Sequence, residues 1–268
     1  MKRKDFLSRL AAGAVTLVSG TAVVKAKSVE TRSTYDKLMD QVGFNHLPNK
    51  EIKDAQSVLL KANSRGHANH GWLDSHHSFS FANYYNPERM NFGVLRVLND
   101  DIVAAGRGFG RHPHDNMEII SIPLEGDLQH KDSMGNVAVI KQGDIQVMSA
   151  GQGLYHSEFN KNRDKEVRFL QIWLFPNQRN VQPRYDQIAI AKDKTNNSLH
   201  QILSPNPNDE GVWIHQNAWF HMGEFDQGKK IKYQIRRPGN GVYTFVLEGN
   251  ATVNGQKLEK RDGFGVWN

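Results

Sequence analysis

The sequence predicts an all-β protein made of two β-barrels, the second a degenerate copy of the first. Three observations predict this. From Lys61 onward, short β-prone runs alternate with Gly, Asn and Asp turns, the spacing of sandwiches and barrels rather than of βαβ units. Two runs, residues 119–126 (IISIPLEG) and 242–249 (VYTFVLEG), end in the same Leu-Glu-Gly. Each is followed by hairpin sequence and then by a similar strand start, Gly143-Asp144-Ile145 in one case and Asp262-Gly263-Phe264 in the other. A duplicated barrel explains this recurrence more simply than two unrelated domains.

Residues 1–26 read as an export signal outside the fold. Lys2, Arg3, Lys4 and Arg9 precede a small-residue apolar run, and Val24-Lys25-Ala26 offers a cleavage site. Arg3-Lys4-Asp5-Phe6-Leu7 resembles a twin-arginine signal with Lys in place of the second Arg. The expected destination is the periplasm, or the cytoplasm if the signal is not functional. Residues 27–57 are polar and read as a linker or strap, with a short helix at 35–42. The first barrel is expected over 58–183, its strands at 78–84, 92–98, 117–123, 137–140, 145–148 and 167–175. Residues 184–268 are expected to hold a linker, a loop at 206–211 and the second barrel. Its strands are expected at 213–215, 219–225, 232–236, 242–247, 251–253 and 265–267.

Composition excludes several functions. The signal holds five of the 34 basic residues and one of the 28 acidic ones. The remaining chain therefore carries 29 and 27, a net of +2 instead of +6, which gives no concentrated basic character for a nucleic-acid partner. No interior run approaches the length of a membrane span, so no membrane partner is expected once the signal is removed. The chain has no cysteine, which excludes disulfides, thiolate ligands and a cysteine nucleophile. Any metal site must then use His and carboxylate. The oligomeric state is not readable.

The segment that carries chemistry is Gly106-Arg107-Gly108-Phe109-Gly110-Arg111-His112-Pro113-His114. Residues two apart on a strand share a face, so His112 and His114 can present both imidazoles to one ion. Pro113 removes a ladder donor and places the pair at a strand end or bulge. His156-Ser157-Glu158 repeats the spacing with an imidazole and a carboxylate. Together they make a three-histidine, one-carboxylate set. On an octahedral ion this leaves about two positions free, as in non-haem metal oxygenases. Sliding back from the second Leu-Glu-Gly puts Ile235 and Arg237 opposite His112 and His114, so the second copy has scaffold without ligands. His130 is expected on the turn after the ligand strand, outside the set. His67, His70, His76 and His77 read as the polar face of one edge strand. Trp72, Phe79, Phe81, Phe109, Met148, Trp173, Trp213 and Trp219 read as barrel core. Gly106-x-Gly-x-Gly reads as a turn, because no helix pattern or P-loop Lys follows it.

These stretches also resemble a family. Gly-x5-His-x-His-x3-Glu is similar to a first cupin motif, and Gly143 through His156 to a second. HPH, LEGDLQHKDSMGN, GDIQVMSAGQGLYHSE and QIWLFP are pirin-like stretches in order, and KANSRGHANHGWLDSHHSFSFANYY resembles the opening of bacterial pirin-like quercetin 2,3-dioxygenases. The resemblance covers about residues 60–268. It implies a bicupin whose N-terminal cupin barrel binds one divalent transition metal through His112, His114, His156 and Glu158. Iron(II) heads the list, with Ni, Co, Mn, Cu or Zn fitting the same donors. Glu118 would lie outside the ligand set and orient a ligand histidine. The implied activity is oxidative cleavage of a flavonol or related aromatic small molecule with O2, Glu158 serving as ligand and catalytic base. The alternative is a non-enzymatic, metal-dependent redox sensor or interaction protein. Two departures stand out: the second barrel ends short of the family's last strand or two, and an export signal is unusual in a family found mostly inside cells.

Overall fold

The structure, a computed structural model, describes residues 55–268 together with the backbone strand Ala14–Ala26. In chain order the strands begin with Ala14–Ala26 (β1), Gln56–Leu60 (β2), Gly66–Asn69 (β3), Leu73–His77 (β4) and Leu95–Val103 (β5). Gly108–His114 (β6), Glu118–Glu125 (β7), Leu128–Asp132 (β8), Val137–Ile140 (β9), Asp144–Ser149 (β10), Leu154–Asn160 (β11) and Val167–Leu174 (β12) follow. Then come Arg184–Ala189 (β13), His200–Ser204 (β14), Val212–Trp213 (β15), Phe220–Tyr233 (β16) and Val242–Glu248 (β17). Asn250–Val253 (β18), Gln256–Glu259 (β19) and Gly263–Trp267 (β20) complete the described strands.

The first half is a seven-stranded sheet, β13-β10-β7-β12-β5-β4-β3, with a four-stranded sheet, β6-β11-β8-β9. The second half is built on a sheet in the order β15-β14-β16-β1-β17-β20-β2, with the β18–β19 hairpin beside it. The expected all-β architecture is present, and so is its internal repeat. Strand β7 pairs antiparallel with β10, as β17 does with β20. The two Leu-Glu-Gly turns end alike, Gly126 and Gly249 both standing at φ 74°. That left-handed conformation suits a residue without a Cβ.

The main core is shared by the halves. Leu98, Ile120 and Ile172 from the first pack in one cluster with Phe220, Tyr243 and Phe245 from the second. Each such side chain contributes about 1.5–3 kcal/mol on burial. Ion pairs cross the seam, Lys61 to Asp262 at 2.6 Å and Arg261 to Asp100 at 3.3 Å, and Arg65 meets the same Asp100 from within the first half at 3.4 Å.

The boundaries differ from the expected ones at three places. Strand β13 pairs with β10 in the first half's sheet, although the boundary after Pro183 assigns it to the second. Strand β2, at the expected end of the strap and start of the first barrel, pairs with β20 in the second half. Both boundaries were read along the chain, and position along the chain does not record which strands pair. The run 78–84 is a loop instead of a strand. Ser80 Oγ donates to Asn86 O (2.9 Å) and accepts from Asn86 N (2.8 Å), and Ala82 has φ 48°. A side chain that bonds the backbone locally competes with the sheet ladder.

The helix expected at 35–42 lies outside the described residues. Strand β1 comes from the segment read as an export signal and lies parallel to both β16 and β17. Its Val- and Thr-rich composition suits a strand as well as the apolar centre of a signal.

Candidate metal centre

Strand β6 is an edge strand, so Pro113, opposite Tyr155, breaks no interior ladder. The alternation leaves Arg111, Pro113 and Asp115 exposed and turns His112 and His114 inward. Across the pair, His112 stands opposite His156 and His114 opposite Leu154. The register then slips: Glu158 faces Phe109, so β6 carries one extra residue at Gly110–Arg111. Such a bulge bends the strand and re-aims its side chains. Gly108 allows the close approach, since a Cβ there would collide with the backbone of Glu158 and Phe159.

The three imidazoles converge. Ring centroids are 4.4 Å apart for His112–His156 and 4.9 Å for the other two pairs. One ligating atom from each of His112, His114 and His156 lies within 4.8 Å of the others. Glu158 belongs to a second group of the same tightness, with His156 and His130. The carboxylate is buried and accepts two hydrogen bonds, from Ser121 Oγ to Oε1 at 2.9 Å and from Gln171 Nε2 to Oε2 at 2.7 Å.

The donor set fits a metal ion. His112 Nδ1 lies 2.7 Å from the Gly110 carbonyl, which holds the proton on Nδ1 and leaves Nε2 with a free lone pair. His156 is buried, and neither of its nitrogens has a hydrogen-bond partner. Such an orphan is costly unless something binds it. Burial lowers the His156 imidazole to about 3, with His112 and His130 adding to the effect, and lowers His114 to about 4. Both are therefore neutral at physiological pH, the form that ligates.

These groups stand at a cavity of about 310 Å³ whose apolar wall is Leu73, Phe81, Phe109 and Trp173. Trp173 meets His114 edge-on, with centroids 4.9 Å apart. Phe81, Phe109 and Trp173 were expected in the core. They face the cavity because the β4–β5 connection, β6 and β12 each contribute to its lining. Met148 does lie in a core cluster, with Ile119.

His130 is not on a turn. It is fully buried on β8, directly opposite Glu158, and pairs with Asp132 at 3.0 Å. The turn begins only after Asp132. Glu118 does not bond to any histidine of the cluster either. It accepts from Ser149 Oγ at 2.7 Å and from the backbone of His215, and burial raises its carboxyl to about 7. The four early histidines divide between the faces of a hairpin. His67 and His76 stack outside beside Asp74, while His70 and His77 line the cavity.

The pirin family model matches residues 59–174, and a model of the quercetinase C-terminal cupin domain matches residues 201–268. A quercetin 2,3-dioxygenase of Escherichia coli K12 is 43% identical over 209 residues, which are 78% of this chain and 89% of that protein. The chain belongs to the pirin family. A pirin-like protein of Caulobacter vibrioides is 37% identical, over 75% of this chain and 86% of its own length. The crystal structure of the bacterial pirin YhhW from Escherichia coli, in complex with nickel(II), has a TM-score of 0.70 at 39% identity. That likeness covers 80% of this chain and 90% of YhhW. The fold is thus the pirin bicupin, with the histidine cluster in its first cupin.

Proposed function

We propose that this pirin is a metal-dependent dioxygenase that cleaves a flavonol, or a related hydroxylated aromatic, with O2. His112, His114, His156 and Glu158 would hold one divalent transition metal, iron(II) first among the ions that suit such donors. The observation that carries this reading is His156, buried and without a partner among two other imidazoles at an apolar cavity. The names of the quercetin 2,3-dioxygenase relatives and the nickel-bound YhhW support it.

When bound, the metal would supply Lewis acidity toward a substrate oxygen and a centre for O2 chemistry. The protein's own contribution is positional. Ser121 and Gln171 clamp the Glu158 carboxylate. A carboxylate fixed in this way can take the proton of a substrate hydroxyl and leave an electron-rich enolate for oxidation. Leu73, Phe81, Phe109 and Trp173 give a planar ring an apolar slot and keep water from the reacting edge.

The test is metal analysis of the purified protein coupled to oxygen uptake with quercetin. Near one metal per chain, with uptake matching substrate loss, is the expected result. Metal-loaded protein that consumes no oxygen with any flavonol would overturn the reading and favour a metal-dependent sensor.

Export to the periplasm is proposed on the sequence of residues 1–26 alone. N-terminal sequencing from the native host should find a chain beginning at or near Lys27. A product beginning at Met1 would remove the proposal.

A further inference from the structure

The same cavity has a second polar region that the metal chemistry does not use. Strands β4 and β5 pair so that His77 stands opposite Asn99 and Ser75 opposite Asp101. All four side chains line the cavity, all are buried, and they sit on a different sheet from the histidine cluster. Asn99 also stands opposite Gln171 of β12, so this polar row runs on to the residue that clamps Glu158.

The hydrogen bonding within the group is incomplete. Ser75 Oγ contacts His77 Nε2 at 2.8 Å and makes a short contact with Asp101 Oδ1. That hydroxyl has one proton for two neighbours. His77 Nδ1 and Asn99 Oδ1 are both buried with no partner at all. Buried polar atoms in native proteins are nearly always satisfied, by protein, water or ligand. Two such orphans, on neighbouring strands and both lining one cavity, point to a ligand that satisfies them.

The chemistry of that ligand follows from the donors and acceptors. Asn99 Oδ1 can only accept. His77 Nδ1 can do either, depending on where the shared proton sits along Asp101–Ser75–His77. With Asp101 ionised, Ser75 donates to it, His77 Nε2 donates to Ser75, and Nδ1 is an acceptor. With Asp101 protonated the chain reverses, and Nδ1 carries hydrogen. Burial raises the Asp101 carboxyl to about 7, so both arrangements are accessible near neutrality. Burial also lowers His77 to about 4, so the ring stays neutral in each. Where Nδ1 carries hydrogen, one hydroxyl accepts from it and donates to Asn99 Oδ1; where Nδ1 is an acceptor, two donors are needed, and two adjacent hydroxyls on one ring supply them. A carbonyl cannot donate to Asn99 Oδ1, and an ammonium cannot accept from Nδ1.

We propose that Ser75, His77, Asn99 and Asp101 form a recognition subsite that selects substrates carrying a phenolic hydroxyl remote from the oxygen handled at the histidine cluster. As a specificity assignment it rests on the dioxygenase reading. As a binding site for a hydroxylated ring it does not. A site built to bond a hydroxyl discriminates against the analogue lacking it, because its own polar atoms are then left unpaired.

The experiment compares quercetin, hydroxylated on both ring systems, with 3-hydroxyflavone, which carries no hydroxyl besides the one to be handled at the histidine cluster. Binding is measured without oxygen on metal-loaded protein. The wild type should prefer quercetin by about tenfold or more. In Asn99→Leu, which keeps the shape of the amide, and in His77→Phe, which keeps a planar ring, that ratio should fall toward one while metal content holds. Thermal unfolding checks that each variant is folded, and Ser75→Ala provides a third if either core change prevents folding. A ratio unaltered in the folded variants, or a wild type that does not discriminate, overturns the subsite.

A parallel arm uses 4-methylcatechol and toluene as probes. Asn99-dependent preference for the catechol, with no flavonol binding or turnover, would sink the dioxygenase reading and leave the subsite standing. Flavonol turnover with an unaltered ratio would do the reverse. Failure of both arms removes both.

Discussion

In the first half, the segment preceding the Leu-Glu-Gly strand is β6, an edge strand that turns His112 and His114 inward against His156. In the second half, the matching segment follows the end of β16 at Tyr233 and is irregular. There Ile235 packs half-buried against the apolar cluster of Val242 and Val246, and Arg237 is exposed. The second half still has a cleft, of about 590 Å³, lined in part by Trp213, Trp219, Ile235 and Arg236. Among the described residues, every group of three candidate metal ligands lies in the first half. The two halves thus share a turn and a strand pair, and differ in what the preceding edge presents. The scaffold follows from alternation and a glycine turn. The chemistry follows from a few side chains on one edge.

The largest expected effect breaks the working half. His156→Ala deletes the most buried imidazole of the cluster, and metal content should fall from near one per chain to a small fraction, with loss of oxygen uptake. Elemental analysis beside the activity assay checks both. Unchanged metal content would undo the ligand assignment.

Next comes Glu158→Gln, which keeps the shape and one ligating oxygen but cannot take a proton at neutral pH. Turnover per bound metal should drop by roughly 10² to 10⁴, the usual range for a lost general base. Normal turnover in metal-replete Glu158→Gln would leave the carboxylate a ligand only.

Glu118→Gln should cost activity less, since Glu118 bonds Ser149 and the His215 backbone and not a ligand. Its clearer signature is in stability. Glu118 has a folded value raised to about 7 from an ordinary 4.5. Its stabilising contribution is therefore complete below about 4.5 and is lost as the pH rises through about 7. Against the wild type, metal-free Glu118→Gln should gain on the order of 2 kcal/mol between those limits, measured by denaturant unfolding. A constant difference between the two proteins would contradict the buried, proton-holding carboxyl.

The smallest effect belongs to the other half. Ile235→Ala together with Arg237→Ala should leave the metal stoichiometry near one per chain. A wild-type stoichiometry near two, lowered by this pair, would mean that the second half binds after all.

Much of the working half was legible because its signals are local. His112/His114 and His156/Glu158 are each spaced by two, which on a strand settles their shared face without knowledge of partners. The repeated Leu-Glu-Gly turn was legible for the same reason. What escaped depends on register across strands. Asn99 and Asp101 gain meaning only opposite His77 and Ser75, and no local pattern sets that pairing. His130 was misplaced because Asp132, the last residue of its strand, looks like the start of a turn. Its side chain instead binds the turn's backbone at Met134 and Asn136. Phe81, Phe109 and Trp173 read as core, like Phe79, because burial in a core and burial around a cavity leave the same mark on a sequence.

The pairing of β2 with β20 bears on how the chain is made. Gln56 stands opposite Trp267, and Lys61 reaches Asp262 across 201 residues. A ribosome releases the early strand long before its neighbour exists, and such distant pairings form slowly. The early strand must wait, apolar residues and open edge uncovered, until nearly all the intervening chain has emerged. Cutting the gene at the 206–211 loop would therefore not yield two independent barrels. The second fragment would lack its edge strand, and the first would carry a strand with nowhere to dock. The two cupins, so different in the side chains they present, are expected to mature as one cooperative unit, with the histidine cluster dependent on a strand that closes in the other half.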